Sequence, residues 1–170
     1  GLITALFAIY IALSAGILES HADEVSDSAQ NFIESVATKA QDALFQPTLS
    51  VAEQQNHFRK LMLENFDLDF AGKWAVGRYW RRIAEKERAE FISIFKDFIV
   101  ATYTQRFRAY TKTKLEITGP TIRQRDTFVN SQINRDGAKP IRIIWRVNFS
   151  DGRYKIRDVI IEGVSWIQTQ

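Results

Sequence analysis

Residues 141–149 read Ile-Arg-Ile-Ile-Trp-Arg-Val-Asn-Phe, and residues 151–161 read Asp-Gly-Arg-Tyr-Lys-Ile-Arg-Asp-Val-Ile-Ile. In the first run Ile141, Ile143, Trp145, Val147 and Phe149 alternate with Arg142, Ile144, Arg146 and Asn148. A period of two belongs to a strand. Asp151-Gly152 is a hairpin signal, because both residues tolerate the positive φ that a tight turn demands. Beyond it Tyr154, Ile156, Asp158 and Ile160 alternate with Lys155, Arg157, Val159 and Ile161. Both faces of this predicted pair carry large apolar side chains, so it needs cover.

Working upstream, Asp136-Gly137 is a second turn signal, and Thr127 to Asn134 reads as the strand that precedes it. Leu115-Glu116-Ile117 opens an earlier strand that is expected to stop near Gly119-Pro120. About four strands in a meander result. Before them the period changes to that of helices. Phe91, Ile94, Phe95, Phe98, Thr102, Phe107 and Tyr110 fall on one broad face of a predicted helix from Glu85 to Lys112. Ser50 and Glu53 have capping-box spacing, ahead of a helix carrying Phe58, Leu61, Met62 and Asn65. Ser26 or Asp27 can cap a first helix running to about Phe45. Phe66-Asp67-Leu68-Asp69-Phe70 reads as a short helical turn, with Gly72 and Gly77 bracketing Lys73 to Val76. The fold class is α+β: N-terminal helices packed on one face of a twisted antiparallel sheet, with an apolar cavity between the layers.

The leading segment reads differently. Leu2 to Leu18 is almost wholly apolar and is followed by Ser20-His21-Ala22 and then Asp23-Glu24. A short apolar run ending in a small-residue site predicts a secretory signal peptide over 1–22, cleaved near Ala22, and a single domain over 23–170. Gly1 in place of Met suggests a processed or truncated chain. There are no cysteines, which excludes disulfides, thiolate metal sites and a cysteine-linked lipid anchor. Net charge is +3. It becomes +4 once Glu19 leaves with the leader, because the 20 acidic residues fall to 19 against 23 basic ones. That balance suits acidic partners or lipid head groups. Nucleic acid does not suit an exported protein.

The inventory of reactive groups is thin. His57 is the one histidine of the predicted mature chain. Gly163-Val164-Ser165-Trp166-Ile167 begins like a nucleophile elbow but lacks the closing glycine. No phosphate-binding glycine motif occurs. Asp67 and Asp69 have no second cluster with which to hold a metal, and read as helix caps. No catalytic residue, metal or cofactor is expected. The positive signal is aromatic: 12 Phe, 5 Tyr and 4 Trp make up 12% of the chain. Most must fill a core. The surplus on two sheet faces and a long helix is more than two simple layers need, and an internal cavity is one use for it.

Three stretches resemble the MlaC family, also called the toluene-tolerance auxiliary family. They are Val76-Gly77-Arg78-Tyr79-Trp80; the spaced series Phe91, Phe95, Ile99, Tyr103, Phe107, Tyr110; and the ending from Tyr154 to Ser165, with Asp158-Val159-x-Ile161-Glu162-Gly163-Val164-Ser165 as its most specific part. The likeness spans roughly Ser26 to Gln170. It implies a periplasmic, non-enzymatic carrier that holds diacyl phospholipid. Its implied partners are an inner-membrane ABC transporter with an MCE-domain component and an outer-membrane lipoprotein–porin complex, and its implied role is to maintain outer-membrane lipid asymmetry. A monomer is expected. Family members continue past the position of Gln170 with an arginine and an amphipathic tail, so truncation there is expected.

On this reading the helical side of the slot comes from Phe66, Phe70, Trp74, Phe95, Phe98, Tyr103 and Phe107. The sheet side comes from Val129, Ile143, Trp145, Val147, Val159, Ile161 and Val164. Arg78, Arg81 and Arg82 are expected to contact a partner or a head group; as scattered solvated charges they have a second reading. Each methylene hidden from water contributes about 0.8 kcal/mol, so two chains of about 16 carbons cost more than ~20 kcal/mol to expose. Three alternatives stay open. They are a carrier of another hydrophobic ligand (hopanoid, isoprenoid or organic solvent), a small-substrate enzyme on a cone-shaped α+β fold, and an interaction domain with a filled core.

Overall fold

The computed structural model describes residues 25, 27–42, 48–108, 114–123 and 125–169, with backbone only at 105–108 and 121–123. Among the described residues four helices precede an antiparallel sheet. They are α1 (27–42), α2 (Val51–Asn65), α3 (Leu68–Val76) and α4 (Glu85–Arg108), with a 3-10 turn over Gly77–Arg82 between the last two. The sheet holds β1 (Leu115–Arg123), β2 (Asp126–Arg135), β3 (Ala138–Ser150), β4 (Arg153–Ile161) and β5 (Val164–Ser165), in the order of the chain.

Local chemistry explains the elements. Ser50 caps α2 by accepting from Glu53 N while the Glu53 carboxylate accepts from Ser50 N at 2.8 Å, so two orphan donors are satisfied reciprocally. Phe58, Leu61, Met62 and Asn65 are the buried stripe of α2, as the spacing predicts. Asp67 caps α3 by accepting from Phe70 N at 3.1 Å. Gly72 does not bracket this helix but lies inside it. A Cβ at Gly72 would stand 2.7 Å from Ile92 Cδ1 and 3.1 Å from Phe95 Cδ1, so the bare backbone lets α4 approach α3. The last residues expected of α1 and α4, 43–45 and 109–112, lie outside the described residues, as does Ser26.

Three expectations about the sheet are corrected. β1 does not stop at Gly119-Pro120. A bulge between Ile117 and Gly119 carries it on to Arg123, and its place at the sheet edge tolerates a proline that donates nothing. A fifth strand follows β4 through Glu162 (φ 50) and Gly163 (φ 86), giving a third tight hairpin after those at Asp136-Gly137 and at Asp151 (φ 53) and Gly152 (φ 72). The alternation of β4 is also broken. Arg146 pairs with Asp158 but Val147 pairs with Ile156, so Arg157 is an extra residue. Because of it, Ile156 and Val159 share a face, opposite Val147 and Trp145, where strict alternation puts them on opposite faces.

The layers meet in one core. Ala29, Ile33 and Val36 of α1, Phe58 and Met62 of α2, and Phe95 and Ile99 of α4 pack with Val129, Val147, Ile156 and Val159 of the sheet. The junction of α2 with α3 is tied to the free edge of β4, where Asp67 N donates to Ile156 O at 2.8 Å and Phe66 bridges Ile156. Trp166 N closes the same edge onto Val159 O at 2.8 Å.

Candidate functional site

The expected slot residues divide into two groups. Phe66, Phe95, Val129, Ile143, Val147 and Val159 are buried, with Tyr103 and Trp145 packed partly exposed against them. Helix and sheet side chains therefore converge between the layers. Trp166 organises the helical side: Phe66 and Tyr103 meet its ring edge-on at 6.3 and 5.7 Å. On the sheet side Trp145 Nε1 donates to Ser131 Oγ at 2.9 Å, and that hydroxyl donates to Ile143 O at 3.0 Å. A polar atom on an otherwise apolar face thus has both of its bonds.

The other expected residues lie elsewhere. Trp74, Phe98, Ile161 and Val164 are 43–58% exposed and do not join the interlayer core. Phe70, unlike these four, packs half-buried against the same core as Tyr103 and Trp145, beneath charge: the Arg157 and Arg146 guanidinium carbons stand 4.6 and 5.5 Å from its ring centroid. The side chain of Phe107 lies outside the described residues. Arg78, Arg81 and Arg82 are exposed on the Gly77–Arg82 turn, none of whose residues is buried.

Two polar constellations escape sequence reasoning. Asp126 accepts from Arg146 Nε at 2.6 Å, from Asn148 Nδ2 at 2.9 Å and from Arg157 Nη1 at 3.3 Å. Arg157 Nε also reaches the α3 cap Asp67 at 3.2 Å. Two carboxylates and two guanidiniums thereby join β2, β3, β4 and α3 around Phe70. The second constellation is centred on Asp158 of β4, whose carboxylate accepts from Ser165 Oγ at 2.6 Å, Val159 N at 2.8 Å and Ile167 N at 3.1 Å. Only the presence of Asp and Ser in the ending hinted at this. The contacts depend on a turn and a bulge that residue types do not reveal.

Two clefts lined by described residues open at the rim of the layers, and a third on the sheet face away from the helices. One of about 460 Å³ lies between Glu34, Ala37, Thr38 and Gln41 of α1 and Lys114 to Ile117 at the start of β1. One of about 360 Å³ lies between the α2–α3 junction and the β3–β4 hairpin. There burial holds the Lys155 ammonium below the usual lysine range while its Nζ donates to Leu63 O. A third, of about 420 Å³, lies on the sheet beside Ile144, Asn130 and Gln132. Among the described residues no cluster of three or more His, Asp or Glu could hold a metal ion, and no helix is long and apolar enough to cross a membrane.

A family model described as MlaC protein matches residues 30–170. The chain belongs to the MlaC family. The intermembrane phospholipid transport system binding protein MlaC of Haemophilus influenzae is 25% identical over 143 residues, covering 76% of this chain and 67% of that protein. A phospholipid-binding protein from Ralstonia solanacearum, solved in complex with a phospholipid, superposes with a TM-score of 0.69. It shares 19% identity, and the match covers 83% of this chain and 82% of that one; at this identity the likeness is one of fold. The α+β reading therefore holds for an MlaC-family chain, with helices N-terminal to an open sheet.

Proposed function

We propose that this MlaC-family chain binds phospholipid between its helix and sheet layers and carries it across the periplasm. The observation that carries the reading is the family match over residues 30–170, on a fold shared with a phospholipid-bound protein. The interlayer residues Phe66, Phe95, Tyr103, Val129, Ile143, Trp145, Val147 and Val159 are the apolar lining that acyl chains need. Here they pack on one another, so loading requires the layers to part, and the cleft between α1 and β1 is a natural seam. The carrier performs no bond chemistry. It exchanges lipid, as a monomer, with an outer-membrane lipoprotein–porin complex and an inner-membrane MCE-domain ABC transporter, and so maintains lipid asymmetry. Residues 1–22 serve as the export signal for the domain over 23–170. Direction is set by relative affinity at the two membranes and by ATP hydrolysis elsewhere, because a passive carrier has none of its own.

Native mass spectrometry of protein purified from a bacterial periplasm tests the reading. Co-purified diacyl lipid is expected, released on denaturation. A hopanoid or isoprenoid in its place would transfer the role to another hydrophobic cargo, and protein that neither arrives loaded nor takes up phospholipid from vesicles would end it.

A further inference from the structure

The corner between α3 and α4 has a composition that the lipid slot does not use. Gly77, at φ 58, ends α3 and turns the chain into the Gly77–Arg82 turn, which stands clear of the core. Trp74 and Tyr79 are 43% and 51% exposed there. The guanidinium carbons of Arg78 and Arg82 stand 5.0 and 5.9 Å from the Tyr79 ring, and Arg78 Nη2 donates to its hydroxyl at 2.9 Å. Among the described residues Lys73, Arg78, Arg81 and Arg82 form no ion pair. Four cations without an ion pair and two exposed amphipathic rings thus share the last turn of α3 and the Gly77–Arg82 turn, with Arg78 and Arg82 at Tyr79 and Lys73 over the Trp80 ring at 5.9 Å.

We propose that this corner rests on the surface of an anionic phospholipid bilayer. The proposal builds on the carrier reading and names the surface from which lipid is met. Tyrosine and tryptophan favour the head-group layer, with an apolar body and a polar tip. Arginine and lysine lay their stems along apolar surface while the charge reaches lipid phosphate. None of the three clefts described above is lined by residues of this corner, which suits a flat, deformable surface better than a shaped protein partner. Glu85 and Glu87 begin the next helix, where acids complement its positive end; Glu87 is engaged there, accepting from Ala84 N at 3.2 Å.

Flotation of the full chain with vesicles tests the proposal. One set is phosphatidylcholine alone; the other contains phosphatidylglycerol as well. The quantity read is the ratio of the two partition coefficients, because the apolar leader can bind either set. The ratio is expected to be on the order of a hundred at low salt and to collapse at high salt. It should fall to a few-fold in the triple variant Arg78→Gln/Arg81→Gln/Arg82→Gln, whose circular dichroism and melting should match the parent. Trp74→Ala/Tyr79→Ala should weaken binding to both vesicle sets while keeping the salt dependence. A parent ratio near one, or a ratio unchanged in the triple variant, overturns the proposal. Binding to soluble polyglutamate with a vesicle ratio near one overturns it in favour of an acidic protein partner. Lipid extracted from the purified chain separates the two readings. Lipid present with a ratio near one removes the surface and leaves the carrier; lipid absent with a high ratio does the reverse.

Discussion

Ser165 Oγ donates to Asp158 Oδ2 at 2.6 Å across the β4–β5 hairpin, with both residues buried. The other oxygen of the carboxylate accepts from Val159 N and Ile167 N. One side chain therefore fastens the end of the chain to β4 and sets Trp166 against Phe66 and Tyr103. Ser165→Ala leaves a buried carboxylate oxygen short of a donor, which costs about 1–3 kcal/mol. Asp158→Ala should cost more, and the double variant less than the sum of the two. Urea midpoints at constant slope measure all three, and strict additivity would show that the contact carries no coupling.

Asp126 is the shared acceptor of Arg146 and Arg157. Removing its charge leaves two guanidiniums facing one another around Phe70, so Asp126→Asn should lose about 3 kcal/mol. Arg157→Lys should fail to restore the parent, because an ammonium cannot span Asp67 and Asp126 while lying over a ring. Thermal melts decide the point, and a lysine variant with parental stability would reduce the network to simple charge balance.

Gly72 tests how tightly α3 and α4 are joined. Gly72→Ala gains about 1 kcal/mol of helix propensity but meets Ile92 Cδ1 and Phe95 Cδ1, and overpacking costs about 1–3 kcal/mol. A net loss is expected. Ile92→Val removes the offending atom, so Gly72→Ala/Ile92→Val should be more stable than Gly72→Ala alone. Failure of that rescue in chemical denaturation would place the clash on the Phe95 ring.

Acid should loosen two places first. The Ser50 hydroxyl and backbone N–H hold Glu53 below its usual 4.5, and the Gln132 and Asn134 side chains do the same for Glu116. A carboxyl depressed by folding contributes stability above its ordinary value and loses it as pH falls through the lowered one. Stability should therefore decline below about pH 4.5, the usual value of both groups. Glu53→Gln and Glu116→Gln should each flatten that decline, as urea titrations over the acid range would reveal.

For the proposed cargo, burial separates the aromatic residues. Phe98→Ser alters an exposed ring and should leave bound lipid per chain at the parental level. Tyr103→Ser, on the interlayer side, should lower it severalfold. Quantified lipid extracts compare them, and the opposite ranking would put the acyl chains on the outer face of α4.

Strands β2 to β4 and the α2 stripe were legible because period and turn residues act locally, whereas the bulge that prolongs β1 and the short β5 were not. Phe58, Leu61, Met62 and Asn65 needed only helical spacing, and Asp151-Gly152 only a tolerance for positive φ. The facing of β4 was not legible. One extra residue at Arg157 reverses every side chain beyond it, and that residue is held by ion pairs with Asp67 and Asp126, 90 and 31 residues away. Burial of individual aromatics was equally hidden: Phe95 and Phe98 differ by less than a turn of one helix, yet one faces the sheet and the other solvent. Of the residues expected to line a slot, those that are buried lie between the layers, while Trp166 was missed because its burial depends on the Asp158 clasp.

The order of the strands along the sheet, identical to their order in the chain, has a consequence for how the molecule is born. Each hairpin can close as soon as its second strand is made, with little loop entropy to overcome. The helices can pack early only on one another, as α3 does on α4 at Gly72. They are synthesised first, yet the edge that Asp67 and Trp166 grip belongs to β4. The apolar side of the helical half stays uncovered until β4 has emerged, so the nascent chain passes through a state with its two layers apart, the same separation a lipid needs in order to enter.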